Sequence, residues 1–206
     1  MFARDHVEKA VKARPAWLST DDAPRASVAS IFRPTADGGT ELLFIERARR
    51  HGDPWSGHLA FPGGRVDDTD PHTEATAARE TWEEIGLDLG ATAAPIGQLD
   101  DLEGRGGSRL VTVSLHAWWL EHHEPELELN YEVEDAFWVD LSILVDPDRH
   151  VAYEYPVRPG EIYPGIDLDG LSGPCGRQGR VLWGLTLRLV DDMFDRFGHP
   201  LPVRPT

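Results

Sequence analysis

The chain has 206 residues, 40% of them hydrophobic and 27% charged, with a formal net charge of −16 at pH 7. That length suits one domain with a sizeable core, and the composition is that of an ordinary soluble protein. The negative charge argues against nonspecific binding to nucleic acid or to an anionic membrane surface, the single cysteine excludes an internal disulfide and a multi-cysteine zinc site, and no run approaches the ~18 apolar residues of a membrane span.

The N-terminal stretch MFARDHVEKA has no apolar core of signal-peptide length, so the cytoplasm is the expected location. Residues 5–13 predict a short amphipathic helix ended by Pro15. Residues 25–33 and 41–46, rich in Val, Ile, Leu and Phe, flank the turn Asp37-Gly38-Gly39 and predict a β-hairpin. A loop from Arg47 to Leu59 then leads through a short strand to Gly63-Gly64. In the following helix Ala75, Ala78, Trp82 and Ile85 recur at helical spacing, which predicts a buried stripe with Glu80, Glu83 and Glu84 near the opposite side and Gly86 as the stop. Residues 108–120 and 132–139 predict two strands, the second followed by a helical turn. In the Pro- and Gly-rich segment 146–180, VAYEYPV and GEIYPGI are expected to pair as strands and GLSGPCGRQGR to form a mobile loop. Residues 180–197 predict a core-packing helix with Leu182, Leu185, Leu189, Met193 and Phe197 along one side. Strands mixed with a central and a terminal helix suit an α/β layered domain. With no internal repeat and no linker, residues 1–206 are expected to form a single domain.

The chemistry concentrates around the central helix. Glu80 and Glu84 are a like-charge i,i+4 pair, which costs a helix roughly 0.2–0.5 kcal/mol. Arg79 can pair with Glu83 one turn on, but one guanidinium does not neutralise three carboxylates. A hard divalent cation, Mg²⁺ or Mn²⁺, sharing its other positions with water and substrate phosphate would do so. The other reading is a solvated acidic helix face. Gly63-Gly64 lets the backbone turn sharply and approach a ligand or metal. Arg47, Arg49, Arg50 and Arg65, with His51 and His58, form a positive patch in an acidic protein. From it Arg47, Arg49 and Arg65 are taken as candidate substrate-binding residues. Trp55 is a candidate to stack on a base, although a loop tryptophan also packs against its own domain.

In order, Gly64, Asp70, Arg79-Glu80, Glu83-Glu84 and Gly86-Leu87 resemble the signature of the Nudix hydrolases: G, five residues, E, seven residues, REUxEExGU, with U a bulky aliphatic. Here Asp70 stands for the glutamate, Thr81 for an aliphatic, and one extra residue separates Asp70 from Arg79. The coenzyme A diphosphatase subgroup carries the same extra residue and a similar GGxVDxxD run. Its upstream pattern of Arg, His and Gly-Gln before FPGG is altered here, where Gly57-His58 replaces Gly-Gln. The resemblance covers about Leu42 to Leu87, and Asn130 to Val139 and the LWGLT run look like segments of that subgroup.

It implies a Nudix-type α/β/α sandwich with a mixed β-sheet. It also implies metal-dependent hydrolysis of a phosphoanhydride in a nucleoside diphosphate linked to another group, coenzyme A being one such substrate. Glu80, Glu83 and Glu84 would then hold Mg²⁺ or Mn²⁺, with the Gly64 carbonyl, and Arg79 would orient a ligand carboxylate. The general base would be Glu83 or a downstream acid, with Glu132 the first downstream choice. The implied partner is a small nucleotide-type diphosphate, with no nucleic acid and no membrane; the oligomeric state is left open. The alternatives are a Nudix hydrolase of a dinucleotide, nucleotide sugar or nucleoside triphosphate, and a catalytically silent Nudix-like ligand-binding domain. A calcium module at DDTDPHTE, residues 67–74, lacks the glycine and the final glutamate spacing of an EF-hand.

Overall fold

A computed structural model of the chain describes residues 2–51, 55–106, 109–121, 124–170 and 179–202. Cys175 and most of the expected GLSGPCGRQGR loop lie outside them. The elements in chain order are α1 (Arg4–Lys12), β1 (Arg25–Pro34), β2 (Thr40–Arg47), β3 (Leu59–Ala60), β4 (Gly63–Arg65), α2 (Thr73–Ile85), α3 (Leu89–Thr92) and β5 (Ala93–Gln98). They continue with β6 (Leu102–Gly106), β7 (Arg109–Leu120), β8 (Val133–Asp140), α4 (Leu141–Leu144), a 3-10 turn (Pro147–Arg149), β9 (His150–Glu154), β10 (Ile162–Asp167), β11 (Val181–Trp183) and α5 (Gly184–Arg196). Strands β1 to β8 form one mixed sheet, in which β1 runs parallel to β7, and β9 to β11 form a second, antiparallel sheet. Among the described residues no helix is long and apolar enough to cross a membrane.

One irregularity in the large sheet creates the place for a site. β1 and β2 pair only beside their turn, from Phe32↔Leu42 to Pro34↔Thr40. Farther along, β3 pairs with β2 at Ile45 and Glu46, while β4 pairs with β1 at Ala26, Ser27 and Val28. The 59–65 segment therefore wedges between two diverging strands, and Ala29 N–H donates to the Pro62 carbonyl at 2.9 Å to close the junction. A Cβ on Gly63 would lie 2.3 Å from the Ser27 carbonyl oxygen, and its φ of 148° is itself a glycine conformation. The wedge needs a glycine there.

Both faces of the sheet are covered. Leu43 and Ile45 of β2 pack with Ala77 and Ile85 of α2. Leu42 and Phe44 pack on the other face with Phe137, Leu187, Val190 and Phe194, and with Val7 of α1 and Ile166 of the small sheet. This is the expected α/β/α sandwich, and β2 reads as a continuous apolar run because each side of it is buried.

Several local expectations are corrected. In α2, Trp82 is 58% exposed and Ala75 and Ala78 are half-buried, while Thr76, Ala77, Thr81, Glu84 and Ile85 turn inward. The inward threonine is tolerated because Thr81 Oγ1 donates to the Ala77 carbonyl at 2.7 Å, and Glu84 because a backbone amide meets it. Leu182 does not belong to the last helix: it lies in β11 opposite Ile166, and the chain turns at Gly184, φ 66°, to start α5. Its three-residue offset from Leu185 mimicked helical spacing. Glu132 precedes β8 rather than lying in a strand. β5 gave no periodic signal because its register slips between Pro95 and Gly97. The first helix, the hairpin and the pairing of β9 with β10 are as expected.

Candidate active site

α2 starts at His72, whose Nδ1 accepts from the Ala75 amide at 3.1 Å, and stops at Gly86 in the left-handed conformation. Between these ends Arg79 organises the acidic residues. Its Nε and Nη2 donate to the two oxygens of Asp70 at 3.0 and 2.9 Å, and its Nη1 donates to Glu80 at 2.9 Å and to Glu83 at 3.1 Å. Nη2 also reaches the Arg65 carbonyl at 3.3 Å. Asp70 accepts further from Thr76 Oγ1 and the Asp67 amide, and with the Arg79 pair leading, these bonds hold its carboxyl well below the usual range. The acidic loop at 67–74 thus anchors Arg79 through Asp70.

The other side of the site meets the glycine pair. Glu84 is 2% exposed, accepts from the Gly63 amide at 2.9 Å, and has Arg47 Nη1 at 3.9 Å. Burial pushes its pKa up to about 7, against the Gly63 bond and Arg47, with Glu80 and Glu132 adding to the rise. Glu80 lies directly over Gly64, where a Cβ would come 2.4 Å from the carboxyl carbon. Its pKa is also raised, by burial first and then by Glu83 and Glu132, against Arg79. Glu132 pairs with Arg50 Nη1 at 3.3 Å, and the Arg50 guanidinium rests 4.6 Å from the Tyr131 ring centroid.

Among the described residues no three His, Cys, Asp or Glu side chains converge tightly enough, as they stand, to hold an ion. The composition of the site nevertheless suits a hard cation. Asp70, Glu80, Glu83, Glu84 and Glu132 face the guanidiniums of Arg79, Arg47 and Arg50, which leaves an excess of two carboxyl groups, hard oxygen donors, over guanidiniums. The bare Gly64 under Glu80 adds room that any larger residue would fill.

The expected residues are not equally placed. Glu80 and Glu84 meet the glycine pair, Glu132 is tied to the end of α2 through Asn130, Glu83 is exposed on the Arg79 side, and Arg47 points at Glu84. Arg49 and Arg65 are exposed, and Trp55 sits half-buried in the turn before His58. Asn130 was not anticipated. Its amide N–H and side-chain Nδ2 bind the Glu84 and Glu83 carbonyls at 2.9 and 2.8 Å, and its Oδ1 accepts from the Glu132 amide at 2.7 Å. It ties the end of α2 to the downstream acid, a link that nothing in local spacing announces.

The chain is similar to several known proteins. It is 31% identical over 126 residues to a peroxisomal coenzyme A diphosphatase of Caenorhabditis elegans, covering 57% of this chain and 50% of that protein. It is 28% identical over 171 residues to a mitochondrial coenzyme A diphosphatase of Mus musculus, covering 81% and 76%. An uncharacterized protein of Schizosaccharomyces pombe is 38% identical over 112 residues, covering 52% and 34%. The chain thus spans half or less of the length of the yeast and nematode relatives. Among solved structures, a MutT/nudix family protein from Enterococcus faecalis has a TM-score of 0.55 at 14% identity, covering 95% of this chain and 74% of that one. An Ap4A hydrolase of C. elegans has a TM-score of 0.50 at 21% identity, covering 58% and 81%. These two support the fold. The NUDIX domain model matches residues 21–159, a span that holds the whole Arg79 and glycine-pair assembly, and the chain therefore belongs to the NUDIX family.

Proposed function

We propose that the protein is a metal-dependent hydrolase that cleaves a phosphoanhydride in a nucleoside diphosphate linked to another group, with coenzyme A the first substrate to test. The observation that carries this reading is the seating of Glu80 over Gly64 and of Glu84 on the Gly63 amide, with Arg79 and Asp70 behind them and Asn130 tying Glu132 to the end of α2. The names of the nematode and mouse relatives support coenzyme A.

In this reading Glu80, Glu83 and Glu84, with the Gly64 carbonyl, would hold Mg²⁺ or Mn²⁺. Such an ion, when bound, neutralises diphosphate oxygens and lowers the pKa of its water. Asp70 fixes Arg79, and Arg79 fixes the directions of Glu80 and Glu83 through charge-assisted hydrogen bonds. Asn130 sets the distance between the α2 acids and Glu132. Glu132 takes the proton of the attacking water at a carboxylate oxygen, with Glu83 as the other acid able to do so. Arg47, with Arg49 and Arg65, meets the outer phosphate oxygens. The partner is a small molecule; nucleic acid and membrane are excluded from the reading by the charge of −16. We also read residues 1–206 as a single domain, and we keep the cytoplasm as the proposed location, although two relatives are named for the peroxisome and the mitochondrion.

The test is a screen for phosphate products with Mg²⁺ and Mn²⁺ across coenzyme A, dinucleotides, nucleotide sugars and nucleoside triphosphates. Selective cleavage of coenzyme A supports the full reading. Cleavage of another class keeps the chemistry and replaces the substrate, and no cleavage of any class overturns the proposal.

A further inference from the structure

The small sheet has an unusual outer face. At its core end the inner face is buried through Ile166 and Leu182, which are opposite one another across β10 and β11. The outer face of such an antiparallel sheet ordinarily carries polar side chains into water. Here it is paved with rings. The pairs Tyr163↔Tyr153 and Gly165↔Trp183 put Tyr153, Tyr163 and Trp183 on that face, and Tyr155 follows Tyr153 two residues on. The Trp183 ring centroid lies 5.3, 4.6 and 5.1 Å from those of Tyr153, Tyr155 and Tyr163. All four residues keep part of their surface exposed. The core does not use this face.

The face is joined to the acidic site by a short stretch of chain. His58, between the Arg-rich loop and β3, stands 4.8 Å from Trp183 and 5.4 Å from Tyr155, centroid to centroid, with Nε2 3.3 Å from the Tyr155 hydroxyl. The His58 carbonyl accepts from the Arg47 amide at 3.0 Å, and the Arg47 guanidinium is the one that approaches Glu84. Arg49 lies on the His58 side of this segment: its side chain passes over Gly57, the residue before His58, where a Cβ would lie 3.6 Å from Arg49 Cγ. Arg47 to Arg49 spans at most about 7 Å of chain. A cationic segment therefore has the acidic site at one end and a part-exposed aromatic face at the other.

We propose that this aromatic face is the base subsite of the substrate: a purine stacks on Trp183 within the ring set of Tyr153, Tyr155 and Tyr163, and Arg49 meets the phosphate next to its ribose. The proposal deepens the hydrolase reading and rests on it for the direction in which the substrate lies. Base stacking itself needs no turnover, so the two separate experimentally. The flat rings supply stacking area and Arg49 supplies the charge, which is the combination that single nucleotides require.

The test is isothermal titration of the full chain with adenosine 5′-monophosphate and with ribose 5-phosphate, without divalent ions, alongside Trp183→Leu and Trp183→Phe. The wild type should bind the nucleotide well above ribose phosphate, Trp183→Leu should weaken it about 5- to 100-fold, and Trp183→Phe should restore most of the loss. If Trp183→Leu does not fold, Tyr155→Leu, beyond the end of β9, takes its place. Equal binding of the two probes, or undiminished nucleotide binding by the folded leucine variants, overturns the subsite. In parallel, kcat/KM for a cleavable adenosine diphosphate compound and for its abasic ribosyl analogue is measured in each protein. A ratio that collapses in the leucine variant supports the subsite, and one that does not move overturns it while leaving the hydrolase intact. Nucleotide binding that depends on Trp183 in a protein that cleaves no diphosphate keeps the subsite and removes the hydrolase.

Discussion

Gly63→Ala and Gly64→Ala add the same methyl group to adjacent residues and should fail in different ways. At Gly63 the new Cβ would stand 2.3 Å from the Ser27 carbonyl oxygen and 2.6 Å from Val28 Cα, and both neighbours are backbone inside a sheet. A φ of 148° adds strain that only glycine avoids, about 1–3 kcal/mol, to an overpacking cost of about 1–3 kcal/mol. For a chain of this size each kcal/mol is worth about 2–4 °C, so Tm should fall by about 5–20 °C. At Gly64 no left-handed φ is involved, and the Cβ would meet the Glu80 carboxyl carbon at 2.4 Å and its oxygens at 2.5 and 2.6 Å. That neighbour is the tip of a flexible side chain. It can swing away at about 0.5–1.5 kcal/mol, which moves the carboxylate by about 1 Å to reach an ordinary contact distance. A misplacement of that size costs about 100-fold in rate. Scanning calorimetry and steady-state kinetics on both variants separate the two effects. Wild-type kcat in Gly64→Ala would refute the idea that Glu80 must sit where the bare glycine lets it, and an equally low Tm in both variants would refute the distinction between backbone and side-chain contacts.

Three further outcomes follow from the same geometry. Arg47→Ala should raise KM more than it lowers kcat, and because Arg47 lowers the Glu84 pKa, the acidic limb of kcat/KM should move to higher pH; an unmoved limb together with an unchanged KM would dismiss Arg47 from the site. Trp82→Gln should change stability by less than about 0.5 kcal/mol because that side chain is exposed, and a loss of several kcal/mol in urea unfolding would mean that the ring is buried. Burial holds His116, bonded to Thr73 Oγ1 at 2.9 Å, down to about 4; the unfolded chain then binds the extra proton first, so His116's contribution is complete above about pH 6.5 and lost as pH falls toward 4. Between pH 7 and pH 5 the wild type should lose about 2 kcal/mol more than His116→Gln in urea unfolding, and parallel losses would show that His116 titrates normally.

The parts of the fold written in local spacing were readable. The Asp37-Gly38-Gly39 turn between apolar runs announced the hairpin, and Gly86 announced the end of α2. Spacing misled where tertiary contacts outweighed polarity. Thr81 and Glu84 are inward because a carbonyl and an amide await them, and no count of apolar residues contains that information. Leu182 falls in step with the last helix because a strand followed at once by a helix can mimic a single period. The glycines, Arg79 and the α2 glutamates were legible as a motif. Asn130 and Trp183 were not, because they reach their positions from segments about fifty and one hundred residues away, and only the pairing of strands and the end of α2 bring them in. The alternating Tyr153 and Tyr155 of VAYEYPV and the Tyr163 of GEIYPGI are the local signal of the ringed face, and their spacing alone predicts no more than strands.

The central claim is that the carboxylates around Gly63-Gly64 perform a metal-dependent hydrolysis. Its most direct test is turnover of the best diphosphate substrate, measured for the wild type and for Glu83→Gln, each with Mg²⁺ and with Mg²⁺ removed by a chelator. The account predicts product from the wild type with Mg²⁺, almost none after chelation, and loss of most activity in a Glu83→Gln protein that melts near the wild-type temperature. Turnover that survives in the folded variant, or that does not respond to removal of the ion, would contradict it.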